Sequence, residues 1–197
     1  MKFDFSQPIK LENERVILRP LEQNDFTYLL PFSENEKDLW DFSLTPAAGA
    51  ENLQTYIDTA LTAKEKLQAY PFVVFDKHVH KVAGSTRFYD IQITHNVLSL
   101  GYTWYGAEFQ RTGLNRNCKY LLLSYAFDVL GVDRVEFRAD LRNVKSIQAM
   151  KQIGCTQEGI LRSNCSASDG RRDSIVLSIL KPEWDQKVKT HLQSKLY

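Results

Sequence analysis

The sequence predicts an α/β fold with a mixed, mostly antiparallel central sheet flanked by helices. Three observations carry this reading. Seven short β-branched or aromatic runs are separated by turn signals, three of them follow one another as a meander, and a long amphipathic helix stands between two runs where a crossover belongs. No repeat, low-complexity tract or Gly/Ser/Pro-rich linker divides the 197 residues. Residues 1–197 therefore read as one domain whose core spans about 11–184.

Along the chain, Arg15–Arg19 is an apolar, β-branched run closed by Pro20, and Asn24 or Asp25 is placed to cap a helix through Leu30. Leu53, Tyr56, Ile57, Ala60, Leu61 and Leu67 recur at helical spacing, predicting a second helix over 50–67. Pro71–Phe75, Val82–Tyr89 and Val97–Tyr105 form the meander, with polar turns between them. After Gly113 the helical period returns through Leu114, Cys118, Leu121, Leu122, Tyr125, Ala126 and Val129, and Gly131 stops it. Arg134–Asp140 then alternates strictly, with Val135, Phe137 and Ala139 on one face and charged residues on the other. A short helix over 143–153 ends at Gly154. Thr156–Arg162 and Asp173–Leu180 read as a hairpin, and Pro182 suits the first turn of a terminal helix carrying Trp184, Val188 and Leu192.

The 25 basic and 24 acidic residues balance, so the chain has no general attraction for nucleic acid or an anionic membrane. Cys118, Cys155 and Cys165 are odd in number and lack a CxxC spacing, which disfavours zinc or a redox pair and fits a reducing compartment. His78 and His80 lack a third ligand nearby in sequence and read as part of a solvated turn, so no metal is expected. There is no apolar targeting segment and no membrane-spanning run, so the expected location is the cytoplasm.

The most informative segment is Gly101–Tyr105, a polar loop, and then Gln110, Arg111, Thr112, Gly113, Leu114 and Asn115 opening the long helix. A helix N-terminus presents unpaired N–H groups and partial positive charge, and a Gly there lets the backbone approach a pyrophosphate. Thr112 is expected as the N-cap, with Arg111, Arg116 and Lys119 as cations near the same end. Taken alone, the glycine reads more readily as part of an ordinary capped helix with solvated basic side chains.

This segment resembles the pyrophosphate loop of the GNAT superfamily of N-acetyltransferases: Gln or Arg, two residues, Gly, one residue, then Gly or Ala. Gln110, Thr112 and Gly113 fit it, while Asn115 stands where Gly or Ala is usual. Asn143-Val144-Lys145-Ser146 and the stretch from Met150 to Arg162 resemble that superfamily's Asn-x-x-Ser helix and helix-to-strand corner, most closely in the Rim branch that acetylates ribosomal-protein N-termini. The resemblance implies the GNAT acyl-CoA N-acyltransferase fold. It also implies that the strand at Gly101–Tyr105 splays from the strand at Arg134–Asp140, with acetyl-CoA in the gap and Trp104, Tyr105 and Asn143 joining the loop as cofactor contacts.

Acetyl transfer to an amine needs a neutral nitrogen, stabilisation of the oxyanion and a proton for the departing sulfur. The resemblance assigns the proton work to Ser146 and Glu158. Met150 stands where many members carry a proton-donating Tyr, and a thioether has no proton to give. Ser99 stands where a catalytic Glu is frequent. The expected partners are acetyl-CoA and a primary amine, either a protein N-terminus or a small molecule, handled by a monomer or homodimer. The rival expectation is a non-catalytic CoA-binding sensor or partner-binding module of the same fold.

Overall fold

The computed structural model describes every residue except Lys2, Ser168 and Tyr197. Among the described residues, eight strands form a single sheet in the order β1-β2-β3-β4-β5-β6-β8-β7. The strands are β1 (Leu11–Glu12), β2 (Val16–Pro20), β3 (Ala69–Asp76), β4 (Lys81–Gln92), β5 (Val97–Tyr105), β6 (Arg134–Asp140), β7 (Thr156–Ala167) and β8 (Gly170–Leu180). The seven predicted runs are all present, and the two-residue β1 is an addition. All neighbours are antiparallel except β5 and β6. That parallel pair is the one joined by the long helix, as chain connectivity requires of a crossover.

The helices are α1 (Phe26–Asn35), α2 (Ala50–Glu65), α3 (Leu114–Ser124) and α4 (Val144–Gln152). α3 continues as a π-helical stretch, Tyr125–Leu130, that Gly131 ends in the left-handed region at φ 70°. The terminal helix starts at Lys181–Glu183 around Pro182, and Trp184–Val188 is likewise π-helical. The expected N-cap of the first helix proves to be a single 3-10 turn at Gln23–Asp25, where Asp25 accepts from the Glu22 N–H and pairs with Arg19.

Adjacent β5 residues show how the layers divide, because successive side chains on a strand point to opposite faces. Trp104 donates its indole N–H to Tyr56 of α2, whereas Thr103 receives the ammonium of Lys119 from α3. α1 and α2 therefore cover one face and α3 the other, along with α4 and the terminal helix, where Trp184 stacks on Phe127 at 5.4 Å. Tyr56, Tyr70, Phe72, Phe88, Phe127, Phe137 and Trp184 are all fully buried. Truncating any of them to Ala would cost about 3–5 kcal/mol.

Candidate active site

The feature that creates a site is a failure of pairing. β5 and β6 are in register at Val97↔Arg134, Leu98↔Val135 and Ser99↔Glu136, after which β5 continues to Tyr105 and β6 to Asp140 without meeting. The cause lies in β5 itself. Against β4, Arg87 faces Gly101 and Ser85 faces Trp104, so β5 carries an extra residue there. Tyr102 sits in the bulge at φ 50°, a conformation that bulky side chains rarely adopt. A bulge bends its strand, and β5 swings away from β6, leaving one edge of its backbone unpaired.

At the far end of β5 the chain turns into α3. Arg111 at φ 61° and Gly113 at φ 87° are both left-handed, so the loop doubles back twice in three residues. This geometry makes Gly113 the N-cap and corrects the expectation for Thr112. Thr112 instead donates its hydroxyl to Phe109 O at 2.7 Å and lies 3.4 Å from the Leu114 N–H. Gln110 ties the loop back to the strand by donating to Tyr105 O at 3.0 Å. Among the described residues, the N–H groups of Gly113 and Asn115 have no acceptor in the chain, while Arg116 N–H bonds Gly113 O. Left-handed turns that align N–H groups at a helix start form an anion nest, and the exposed Arg111 and Arg116 flank it.

Asn115 does not crowd this loop. Its Oδ1 accepts the Tyr105 hydroxyl at 3.2 Å and so clamps α3 to β5. Leu114 is buried beneath the turn. The side chains of Trp104 and Tyr105 are also buried, which leaves their backbone as the part available to a ligand.

Lys119 departs from expectation. It lies on the second turn of α3, only 6% exposed, and donates to Thr103 Oγ1 at 2.8 Å beneath the open segment of β5. Its Nζ stands 5.9 Å from the ring of Phe137, the first β6 residue beyond the parting. It is therefore no phosphate-end cation. Burial pulls its pKa down to about 8, opposed by the nearby Cys118 and Cys155. Those two thiols are themselves raised by burial, Cys118 to about 12, so neither is an available nucleophile.

α4 begins just past the end of β6. Asn143 is its N-cap, with Oδ1 accepting Ser146 N–H at 3.0 Å, which leaves the amide NH2 for a ligand. Ser146 is half-buried on the first turn, and Met150 one turn on is buried.

The opposite face of the sheet carries charge. Glu136, the last β6 residue paired with β5, accepts from Arg134 Nη2 at 2.7 Å and from Arg138 Nε at 2.6 Å. Glu158 sits at a bulge of β7, is bidentate with Arg134 and accepts from Ser178 Oγ at 2.6 Å. The Arg134 guanidinium holds its carboxyl below the usual range, against a smaller opposing effect of burial. Glu136 and Glu158 thus share one arginine. Strict alternation assigned Glu136 to the polar face of β6, but only the register places it across from Ser99, where the strands part.

Known proteins share this fold. Residues 15–156 match the family described as acetyltransferase (GNAT) domain. The "Probable N-acetyltransferase YjcK" of Bacillus subtilis is 26% identical over 182 residues, 89% of this chain and 99% of the relative. The crystal structure of a GCN5-related N-acetyltransferase from Brucella melitensis has a TM-score of 0.89 at 27% identity, over 97% of this chain and 86% of that one. A ribosomal-protein-S5-alanine acetyltransferase from Vibrio fischeri has a TM-score of 0.71 over 89% of this chain and 98% of its own. At 21% identity that last likeness is one of fold.

Proposed function

The chain belongs to the GNAT acetyltransferase family, and from that premise we propose that it moves the acetyl group of acetyl-CoA directly onto a primary amine where β5 and β6 part. Above all, the reading is supported by one juxtaposition: an unpaired β5 edge that leads from this vertex to the anion nest before α3. A pantetheine arm can pair with that edge as an added strand would, through the backbone of Trp104 and Tyr105. Gln110, Arg111, Thr112, Gly113, Leu114 and Asn115 form the pyrophosphate cradle, and the Asn143 amide meets the arm from α4. When bound, acetyl-CoA supplies an activated thioester.

The remaining work falls to side chains of this chain. Ser146 donates a proton toward the departing sulfur, and the Lys119 ammonium, below the gap, stabilises the negative charge that collects there. On the other face, the carboxylates joined through Arg134 receive the proton of the incoming amine, Glu158 by way of water. The acceptor is a protein N-terminus or a small amine, and the enzyme works in the cytoplasm as a monomer or homodimer. Among the described residues no helix is long and apolar enough to cross a membrane.

The test is thiol release from acetyl-CoA across a panel of peptides with free N-termini and small amines, with acetylated product weighed against thiol. One product per thiol, with no acetyl trapped on Cys118, Cys155 or Cys165, is the expected result. Tight acetyl-CoA binding without thiol release from any amine would establish the rival binding module.

A further inference from the structure

Arginines in this fold that are buried or half-buried have polar partners. Arg15 pairs with Asp76, Arg19 with Asp25 and Arg134 with two glutamates, while Arg172 donates to Ser174 Oγ and Phe42 O. Arg87 differs. It is 4% exposed and among the described residues no carboxylate pairs with it, so its buried Nε, unpartnered like that of Arg15, belongs to a guanidinium with no counter-charge. Its guanidinium carbon lies 4.2 Å from the Tyr102 ring centroid and 5.3 Å from that of Tyr56. Aromatic faces can support a cation, but they accept none of its in-plane N–H bonds. A buried charge without hydrogen bonds is costly.

The surroundings indicate a ligand. Trp40, whose ring centroid lies 6.5 Å from that of Tyr56, has a second buried donor without an acceptor, its indole Nε1. Both orphans are donor-only groups, so only an acceptor can satisfy them. Arg87 faces Gly101 across the β4–β5 pair, and the neighbouring pair ends at Ser99, opposite Glu136. The guanidinium therefore stands one strand away from the vertex, on the face that carries Glu136. Tyr102, half-exposed and held over Arg87 by the β5 bulge, forms the rim.

We propose that Arg87 is an oxyanion receptor for the acceptor, and that the amine acetylated here carries a carboxylate or phosphate close to its nitrogen. The guanidinium fork takes the planar edge of the anion, which orients the amine toward the vertex. This rests on the transferase reading above and narrows its substrate class.

The experiment compares kcat/KM for thiol release with matched amines: an α-amino acid against its amide, and phosphoethanolamine against ethanolamine. The parent protein should prefer the anionic member of at least one pair by about 10 to 100-fold, since a site with buried donors rejects a ligand that leaves them unpaired. Whichever pair shows the preference identifies the oxyanion. Arg87→Met should bring that ratio toward one, and Arg87→Lys, which keeps charge without the fork, should retain an intermediate ratio. Equal use of anionic and neutral amines by the parent overturns the inference and leaves the transferase standing. So does a ratio that survives in Arg87→Met with parent-like thermal unfolding. If no amine releases thiol, calorimetry with the same four amines separates the two ideas: parent-only binding of an anionic member supports the receptor without the transferase, and no binding sinks the receptor.

Discussion

The two ends of the proposed site are built in different ways. The cradle before α3 is contiguous, six residues from Gln110 to Asn115, and acts through backbone N–H groups set by two left-handed residues. The face around the vertex draws Arg87 from β4, Ser99 from β5, Glu136 from β6, Glu158 from β7 and Ser178 from β8, and acts through side-chain charge. A backbone site is a local property of the chain. A charged face is a property of sheet register, and its members lie far apart in sequence.

The largest expected effect tests the local end. Gly113→Asp forces a side chain into φ 87° and brings a carboxylate toward Arg116, whose Nη2 lies 3.9 Å from an added Cβ. The left-handed strain alone is about 1–2 kcal/mol, and anion repulsion adds to it. Acetyl-CoA affinity should fall by about 100-fold or more, read by calorimetry. Affinity equal to the parent would place the pyrophosphate elsewhere.

The next tests whether α4 belongs to the chemistry or to the binding. Ser146→Ala keeps the Asn143 cap, because the cap bonds Ser146 through its backbone N–H. The prediction is a kcat lowered by roughly 10 to 1000-fold with acetyl-CoA affinity near the parent value. Affinity lost in step with rate would make Ser146 a binding residue.

The same contrast explains what was legible in the sequence. Helical and strand periods report local burial, so every predicted element has its counterpart in the structure, and Arg134–Asp140 matches to the residue. Gly113 was legible as the turn residue, but the cap was misplaced by one residue because nothing in the sequence marks Arg111 as left-handed. Lys119 read as one more cation after a glycine. Its position relative to Thr103 depends on how α3 lies across β5, a tertiary fact. Arg87 and Glu136 carried no spacing signal, because their significance arises only where β5 bulges and leaves β6.

Lys119 allows a stability test between the two ends. Its folded pKa of about 8 lies below the ordinary 10.5, so burial disfavours the charged form. The unfolded chain then binds more protons between about pH 8 and 10.5, and stability rises with pH across that window. Below pH 8 the native state carries the full penalty, at most about 3 kcal/mol from the shift and less after its bond to Thr103 is counted. Lys119→Met should therefore raise the melting temperature at pH 7 by a few degrees and flatten the rise between pH 8 and 10.5. An unchanged slope would show that the ammonium is solvated in solution.

The smallest effect is expected at the charged face. Glu158 has a folded pKa depressed by Arg134, so the stability it contributes is present above its ordinary pKa and is lost only as pH falls through the folded value. Half-exposed and screened as it is, that contribution should be under about 1 kcal/mol. Between pH 6 and 9 Glu158 stays ionised, and any change in rate with pH must come from other groups, the amine foremost. If Glu158 receives the amine proton, Glu158→Gln should depress rate most at low pH, by about tenfold, and recover as pH approaches the amine pKa. Glu136→Gln, assayed alongside, shows whether the carboxylate nearer the vertex shares the task. A loss in Glu158→Gln equal at every pH would mean that it acts through Arg134, positioning Glu136. The charged face would then depend on register twice over, once to bring Glu136 to the vertex and once to hold it there.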